Sequence, residues 1–254
     1  MAVDNSGPID ATQASVVLLK FEKEPFENVP AEKIIELLNS KKLKLGGEPP
    51  ISGFTEIKHS QIGSRQEILV EYLIESPVPQ RLVKIKDDGS LDWTQQVIHV
   101  PKLLTAHIRL NTGIIELYTS DKRFTNRLVS DIRDCLRPIV DLSVEKVVFS
   151  EKVLEHIMSK NEELLRVKFD HLDHTYIKEI ILKGDLIDAS EEFKHFRTQK
   201  NGKFGEFHIK FYTGTGELVS MVVSRGGSLR FFRTTTELTW DLIEEIIDEL
   251  EKEL

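Results

Sequence analysis

Residues 108–136 read IRLNTGIIELYTSDKRFTNRLVSDIRDCL, and residues 222–250 read VVSRGGSLRFFRTTTELTWDLIEEIIDEL. Each stretch places two apolar runs on either side of a turn that contains glycine, a pattern typical of a β-hairpin. A link rich in threonine or serine follows, and then a segment whose apolar residues recur at helical spacing. Each stretch therefore predicts a hairpin followed by an amphipathic helix.

A second pair of similar segments precedes these two stretches. Residues 31–41 (AEKIIELLNSK) and 150–160 (SEKVLEHIMSK) are identical at five of eleven positions. The helical segments are offset by 119 residues and the hairpin stretches by 114. Two matches in the same order at nearly equal offsets favour one duplication, and the period is too long for a solenoid repeat.

The turns and links of the two stretches carry a resemblance to a known family. The turn 111–113 precedes the link 118–120 in the first stretch, and the turn 225–227 precedes the link 233–235 in the second. Strand, glycine turn, strand, link and helix, given twice, resembles the duplicated unit of the TATA-box-binding-protein fold. The resemblance implies a curved sheet with helices on one face. The apolar residues with which that family wedges DNA have no identifiable counterpart here, so the resemblance does not establish DNA binding.

The sequence thus predicts an α+β protein: a tandem duplication of a unit with an antiparallel curved sheet and helices packed on one face. The chain of 254 residues has room for two domains of ordinary size. We predict a flexible tail over residues 1–14, a first repeat over 15–142 and a second over 143–254. Within the first repeat, separate strands are predicted at 66–75, 80–86 and 94–100, the last closed by Pro101.

Composition predicts a folded chain in a reducing compartment. Apolar residues make up 40% of the chain and charged residues 30%, as in globular proteins. The single cysteine, Cys135, rules out an intramolecular disulfide. The sequence lacks an apolar run long enough to cross a membrane, and its polar start does not resemble a signal peptide. We therefore expect an intracellular, cytoplasmic protein that does not bind membranes.

The net charge of −8 is concentrated near the C-terminus. Seven acids and one lysine between Asp241 and Glu253 contribute −6 of it. A protein that coats nucleic acid electrostatically is expected to be basic, and this one is not. The acidic face of the last helix is most simply solvated, and a basic protein partner is the alternative. It comprises Asp241, Glu244, Glu245, Asp248 and Glu251.

Strand alternation assigns two faces to the first hairpin. A two-residue turn at Thr112-Gly113 places one set of alternate residues in the core: Ile108, Leu110, Ile115 and Leu117. The other set lies on the opposite face: His107, Arg109, Glu116 and Tyr118. Arg109 and Tyr118 are therefore candidate binding residues.

The second hairpin is assigned in the same way, with its turn at Gly226-Gly227. The predicted core set is Val222, Ser224, Leu229 and Phe231, and the opposite set is Met221, Val223, Arg230 and Phe232. On the preceding strand, Lys210 and Tyr212 alternate with apolar residues. Aromatic rings beside cations can stack on bases or anchor a partner peptide. The candidate binding residues are Lys210, Tyr212, Arg230 and Phe232; burial of this face under another layer is the alternative.

Two further clusters are candidates for ligand binding. Backbone N–H groups of Arg225, Gly226 and Gly227 are candidates for anion binding, although a plain hairpin turn is the simpler interpretation. Asp170, His171, Asp173 and His174 are weak candidates for a metal site. Neighbouring residues in a turn point in different directions, and polar turn residues explain this cluster more simply.

The sequence contains no recognisable catalytic or cofactor signature. The first hypothesis is therefore a non-enzymatic binding or adaptor protein that contacts another macromolecule through the duplicated sheet or the acidic C-terminal helix. The partner is then expected to be a protein. Nucleic-acid binding through the open sheet face and a metal-dependent enzyme built on residues 170–174 remain the alternatives, and the oligomeric state is open.

Overall fold

The computed structural model describes residues 13–26, 29–44, 51–62, 65–119, 121–139, 143–159, 163–173, 176–185, 187–214, 216–232 and 239–252. Residues 1–12 of the predicted tail, His174 and the link 233–235 lie outside these ranges. The described chain is mixed α+β with antiparallel sheet and five α-helices, which confirms the predicted class. None of these helices is long and apolar enough to span a membrane.

The described chain contains eleven strands and five α-helices. The strands are β1 (Gln13–Phe21), β2 (Ser52–Ile62), β3 (Arg65–Ile85), β4 (Leu91–Arg109), β5 (Ile114–Tyr118), β6 (Val144–Lys146), β7 (Glu163–Asp170), β8 (Glu179–Lys183), β9 (Lys203–Tyr212), β10 (Leu218–Ser224) and β11 (Ser228–Phe232). The α-helices are α1 (Ala31–Leu38), α2 (Lys122–Leu136), α3 (Glu151–Ser159), α4 (Glu191–Lys194) and α5 (Trp240–Glu251).

The chain divides into two compact units. Unit 1 consists of the described residues within Met1–Phe21, Tyr118–Ser120 and Val144–Leu254, and unit 2 of those within Glu22–Leu117 and Asp121–Ser143. In unit 1 the strand order is β8-β7-β9-β10-β11-β1, with β6 paired to the end of β1. In unit 2 the order is β2-β3-β4-β5. The strand pairs with an observed register are antiparallel.

The helices of unit 1 begin where the sequence places capping residues. The Ser150 hydroxyl accepts a hydrogen bond from the Val153 N–H at 3.3 Å, and Thr239 accepts one from Leu242 at 3.2 Å. Such caps satisfy N–H groups that lack a partner inside the helix. The helix starts predicted at these two residues are therefore confirmed.

The core of unit 1 lies between its sheet and helices α3 and α5. Ile157 of α3 and Ile246 of α5 line a small gap together with Ile209, Phe211 and Met221 of the sheet. These apolar side chains are buried, so both helices pack on the face of β9 and β10 that carries them. The other face of the same strands is not covered by α3 or α5.

The long hairpin of unit 2 differs from the prediction. Separate strands were expected at 66–75 and 80–86, yet β3 runs unbroken through Pro77 and Pro79. Likewise β4 continues through Pro101. Proline lacks only the N–H donor, and a strand tolerates it where that position faces away from the partner strand. The prediction of breaks at these prolines is therefore wrong.

A buried tyrosine joins the sheet of unit 2 to α2. The Tyr72 hydroxyl donates a hydrogen bond to the carboxylate of Asp131, and Lys41 approaches the same carboxylate at 3.5 Å. Burial, followed by the hydrogen bond to Asp131, raises the pKa of Tyr72 to about 12. The folded protein therefore holds this proton more tightly than the unfolded chain does.

The raised pKa of Tyr72 predicts how the free energy of unfolding changes at alkaline pH. Because the folded-state pKa of Tyr72 lies above its ordinary value of 10.0, the stabilisation is complete below pH 10 and is lost as pH rises toward 12. We expect the free energy of unfolding, measured with urea, to fall more between pH 9 and about 11.5 in the wild type than in Tyr72→Phe. Equal slopes in the two proteins would contradict the assignment.

Candidate binding surface

The second hairpin turns through three residues, and this sets which side chains share a face. In the observed register Met221 pairs with Phe231 and Val223 with Leu229. Paired residues of an antiparallel ladder point to the same side, so Met221 and Val223 belong to the core face. The prediction that placed them on the open face is wrong, because a turn one residue longer moves every side chain of β10 to the other face.

The opposite side of the unit 1 sheet is the surface of interest, and we call it the open face. It carries the candidates Lys210, Tyr212, Arg230 and Phe232, which the register brings onto one side. Other members include Ser15, Val17, Glu163, Arg166, Lys168, Lys183, Glu206, His208, Leu218, Ser220, Val222, Ser224 and Ser228. Most of these side chains are half-buried, while Tyr212 is 55% exposed and Arg230 is exposed.

Most cations on this face are paired with carboxylates. Lys210 Nζ lies 2.6 Å from an oxygen of Glu163, and Arg166 Nη1 lies 2.6 Å from Glu206. Lys168 lies 2.8 Å from Glu179 on the neighbouring strand. Within the described part of the chain, Arg230 makes neither an ion pair nor a side-chain hydrogen bond. The open face is therefore nearly neutral, with one guanidinium available to a ligand.

An aromatic cluster lies beside these ion pairs. The ring centroids of His208 and Phe232 are 5.2 Å apart, and His208 Nε2 lies 2.7 Å from the Ser220 hydroxyl. Burial, followed by the positive charges of Lys210 and Arg166, lowers the pKa of His208. The imidazole is therefore neutral at pH 7 and adds packing area without adding charge.

A shallow cavity of about 110 Å³ opens next to Arg230 on this surface. Ser15, Ser224, Ser228 and Glu206 are among the residues that line it. Serine hydroxyls both donate and accept hydrogen bonds, so this cavity suits polar groups of a polypeptide. A concave site with a few polar groups is the usual form of a binding pocket.

The predicted anion loop uses its donors inside the protein. The N–H groups of Arg225, Gly226 and Gly227 donate to the Gly205 carbonyl, the Ser224 hydroxyl and the Ser224 carbonyl. The Arg225 guanidinium is bonded to Glu151 and to the Phe204 carbonyl. Gly227 has φ +71°, and a Cβ there would lie 2.4 Å from the Val147 carbonyl oxygen. In this structure the loop is a tight turn anchored to α3 and β9.

The predicted metal candidates are spread around the end of β7. Asp170 is half-buried and pairs with Lys168 at 3.3 Å. His171 is exposed with φ +54°, and the backbone N–H of Asp173 donates to the Lys200 carbonyl. Asp170 is thus engaged with a cation, and His171 occupies a left-handed turn position.

The candidates from the first hairpin lie in different environments. Arg109 is fully buried and forms an ion pair with Glu116, which is also fully buried. The prediction that these two residues face solvent is therefore wrong. Tyr118 is half-buried. The expected core set of Ile108, Leu110, Ile115 and Leu117 is buried as predicted.

The acidic face of α5 is less exposed than a solvated helix face. Glu244 is buried, and Glu245, Asp248 and Glu251 are half-buried. The expectation of a fully solvated face is wrong for Glu244. Of the described acids of α5, Glu244, Glu245, Asp248 and Glu251 are all less exposed than Tyr212 and Arg230 of the open face, and the side chain of Asp241 lies outside the described part.

Sequence reasoning missed the ion pairs that neutralise the open face. The alternation of charged and apolar residues along β7 and β9 signals that Arg166 and Glu206 point away from the core. Their pairing depends on which strands become neighbours, and β7 pairs with β9 after an intervening strand and helix.

No family model matches this chain, and no curated protein matches its sequence significantly.

Proposed function

We propose that this protein is a non-enzymatic binding protein whose open face takes up a segment of a partner protein. The observation that carries the proposal is the pair of accessible groups, Tyr212 and Arg230, on a face where Lys210, Arg166 and Lys168 are paired with carboxylates. Tyrosine and arginine are the side chains most enriched among residues that dominate protein interfaces. A near-neutral face with one accessible guanidinium favours a protein segment with a carboxylate over a polyanion.

Affinity capture with the purified full-length chain tests this proposal. We expect a partner protein to remain bound to the wild-type chain after nuclease treatment. The variants Tyr212→Ala and Arg230→Ala are each expected to lose this partner. Each substitution is expected to weaken binding at least about tenfold, as for central interface residues. Lys152→Ala removes an exposed cation on α3 and serves as the matched control.

The outcomes separate the competing functions. Retention that depends on nucleic acid, with a steep salt dependence that flattens in Arg230→Ala, would replace the proposal with nucleic-acid binding. A partner that both open-face variants retain at wild-type affinity would show that another surface binds it. Circular dichroism of each variant identifies any loss of binding that comes from unfolding.

We also propose that the chain arose by tandem duplication of a TATA-box-binding-protein-like unit, with repeats over 15–142 and 143–254. Two observations support this. Strands β2-β3-β4-β5 are adjacent in this order, as are β7-β9-β10-β11. A helix precedes each set and another follows it: α1 and α2 for the first, α3 and α5 for the second.

The lone Cys135, which is buried and reduced, supports a cytoplasmic location.

A further inference from the structure

The second half of β3 and the first half of β4 form a two-stranded arm, residues 77–100. Pairing runs from Pro77 opposite His99 to Ile85 opposite Leu91. The observed pairing of β2 with β3 ends at Ile74, so within the described residues this stretch of β3 is paired only with β4. Ten residues of extended chain span about 34 Å. An isolated two-stranded ribbon buries little surface and is only marginally stable in water.

One face of this arm is an exposed apolar stripe. Val83 pairs with Trp93, and Ile85 pairs with Leu91, so all four side chains lie on the same side. Val97 lies on the same side opposite Pro79, beyond the polar pair of Arg81 and Gln95. Trp93 is 61% exposed and Ile85 is 76% exposed. The other face carries the polar pairs Gln80–Gln96 and Lys84–Asp92 together with the less exposed apolar residues Val78, Leu82 and Ile98, so the stripe has the larger exposed apolar area.

The size of the stripe indicates what can cover it. Large apolar and aromatic side chains each bury on the order of 100–250 Å², so the exposed parts of these five residues amount to roughly 500 Å². Apolar patches of roughly 300–600 Å² are the largest that monomeric proteins usually expose, and they are often functional. Two such stripes in contact would bury roughly 1,000 Å² in total, which reaches the lower limit of a specific interface.

The charge of the arm allows a second copy as the occupant. Residues 241–253 carry −6 of the chain's net charge of −8, so repulsion between two copies is concentrated in their C-terminal segments. The arm is neutral, since Arg81, Lys84 and Lys86 balance Asp87, Asp88 and Asp92. An apolar stripe is also complementary to itself, which is the requirement of a two-fold symmetric contact.

We propose that this protein forms a homodimer in which the apolar stripe of one arm packs face to face on the stripe of the other. The two ribbons then form a small sandwich, with side chains from the two inner faces interdigitating. Trp93 lies near the centre of the contact, where it loses its exposure to water. The contact does not use the open face, so the proposal is independent of the proposed function.

Sedimentation equilibrium of the full chain tests the dimer. At about 100 µM we expect the mass of a dimer, and dissociation on dilution, because an interface of this size is expected to have micromolar affinity. Trp93→Glu and Val83→Glu place a charge inside the stripe and are each expected to weaken association at least about tenfold. Thr94→Glu and Lys84→Glu change the neighbouring residues on the opposite face and are expected to leave the dimer intact.

Each outcome decides the proposal. A monomeric wild type at about 100 µM would overturn it, since the exposed stripe would then have no partner copy. A dimer that resists both stripe variants, or that all four variants weaken equally, would overturn the face-to-face contact. Circular dichroism verifies that each variant is folded, and Val97→Lys provides a third stripe variant if one of the others is not. Arg230→Ala should remain dimeric, which separates this result from the test of the open face.

Discussion

Replacing Glu116 with alanine is expected to lower the free energy of unfolding by about 3–5 kcal/mol. Glu116 and Arg109 are both 0% exposed and are ion-paired across the β4–β5 hairpin. Removing the carboxylate takes away the Glu116 charge, which offsets part of the cost of burying the Arg109 guanidinium. Urea denaturation of the wild type and the variant at pH 7 measures the loss.

Two controls separate charge burial from a general loss of packing. Glu36→Ala breaks the exposed pair with Lys33, and its effect is expected to stay within about 1 kcal/mol. The double variant Arg109→Met/Glu116→Leu removes both charges and is expected to recover most of the stability lost in Glu116→Ala. If the double variant is as unstable as the single one, lost packing and not the loss of the Glu116 charge is the cause.

Phe231→Ala is the second substitution with a large expected effect, about 3–5 kcal/mol. The Phe231 side chain is 0% exposed and lies between Met221 on β10 and Ala14 on β1. Truncation removes the whole ring from the core and leaves a cavity that the surrounding strands fill only in part. The loss is measured by urea denaturation with the slope of the transition checked for two-state behaviour.

The next residue along the strand provides the matched control. Phe232 lies on the open face, where it is half-buried and contacts the ring of His208. Its truncation is expected to cost about 1 kcal/mol, since less apolar surface returns to water. Equal losses at the two positions would mean that both faces of β11 are packed, and the open face would then not be accessible.

Local patterns account for much of the fold. The hairpin and helix of each stretch, the capping residues Ser150 and Thr239, and the core set of the first hairpin follow from residue periodicity and turn chemistry. Lys210, Tyr212, Arg230 and Phe232 were also placed correctly on one side of the sheet. These features depend on contacts between residues that are close in sequence, or on the alternation along a single strand.

Other features depend on register and on neighbours that are distant in sequence. The observed turn, residues 225–227, has one residue more than the predicted turn. This difference changes the register by one, so the faces of β10 are the reverse of those predicted. Arg109 and Glu116 were expected in solvent, since charged residues are seldom buried unless they are paired. Their burial follows from the packing of the folded unit and is not visible in the alternation of the strands.

Residue patterns alone predict the α+β class, the two hairpin-and-helix stretches and the core set of the first hairpin. The tertiary structure sets the ion pairs of Arg166 and Lys210 and the accessibility of Arg230, because the partners in these pairs lie 40 and 47 residues apart in the sequence. It also decided that the prolines of β3 lie within a continuous arm with an apolar stripe. The physical reason is that periodicity records which side of a strand is apolar, whereas strand neighbours and solvent exposure are set by the packing of the whole unit.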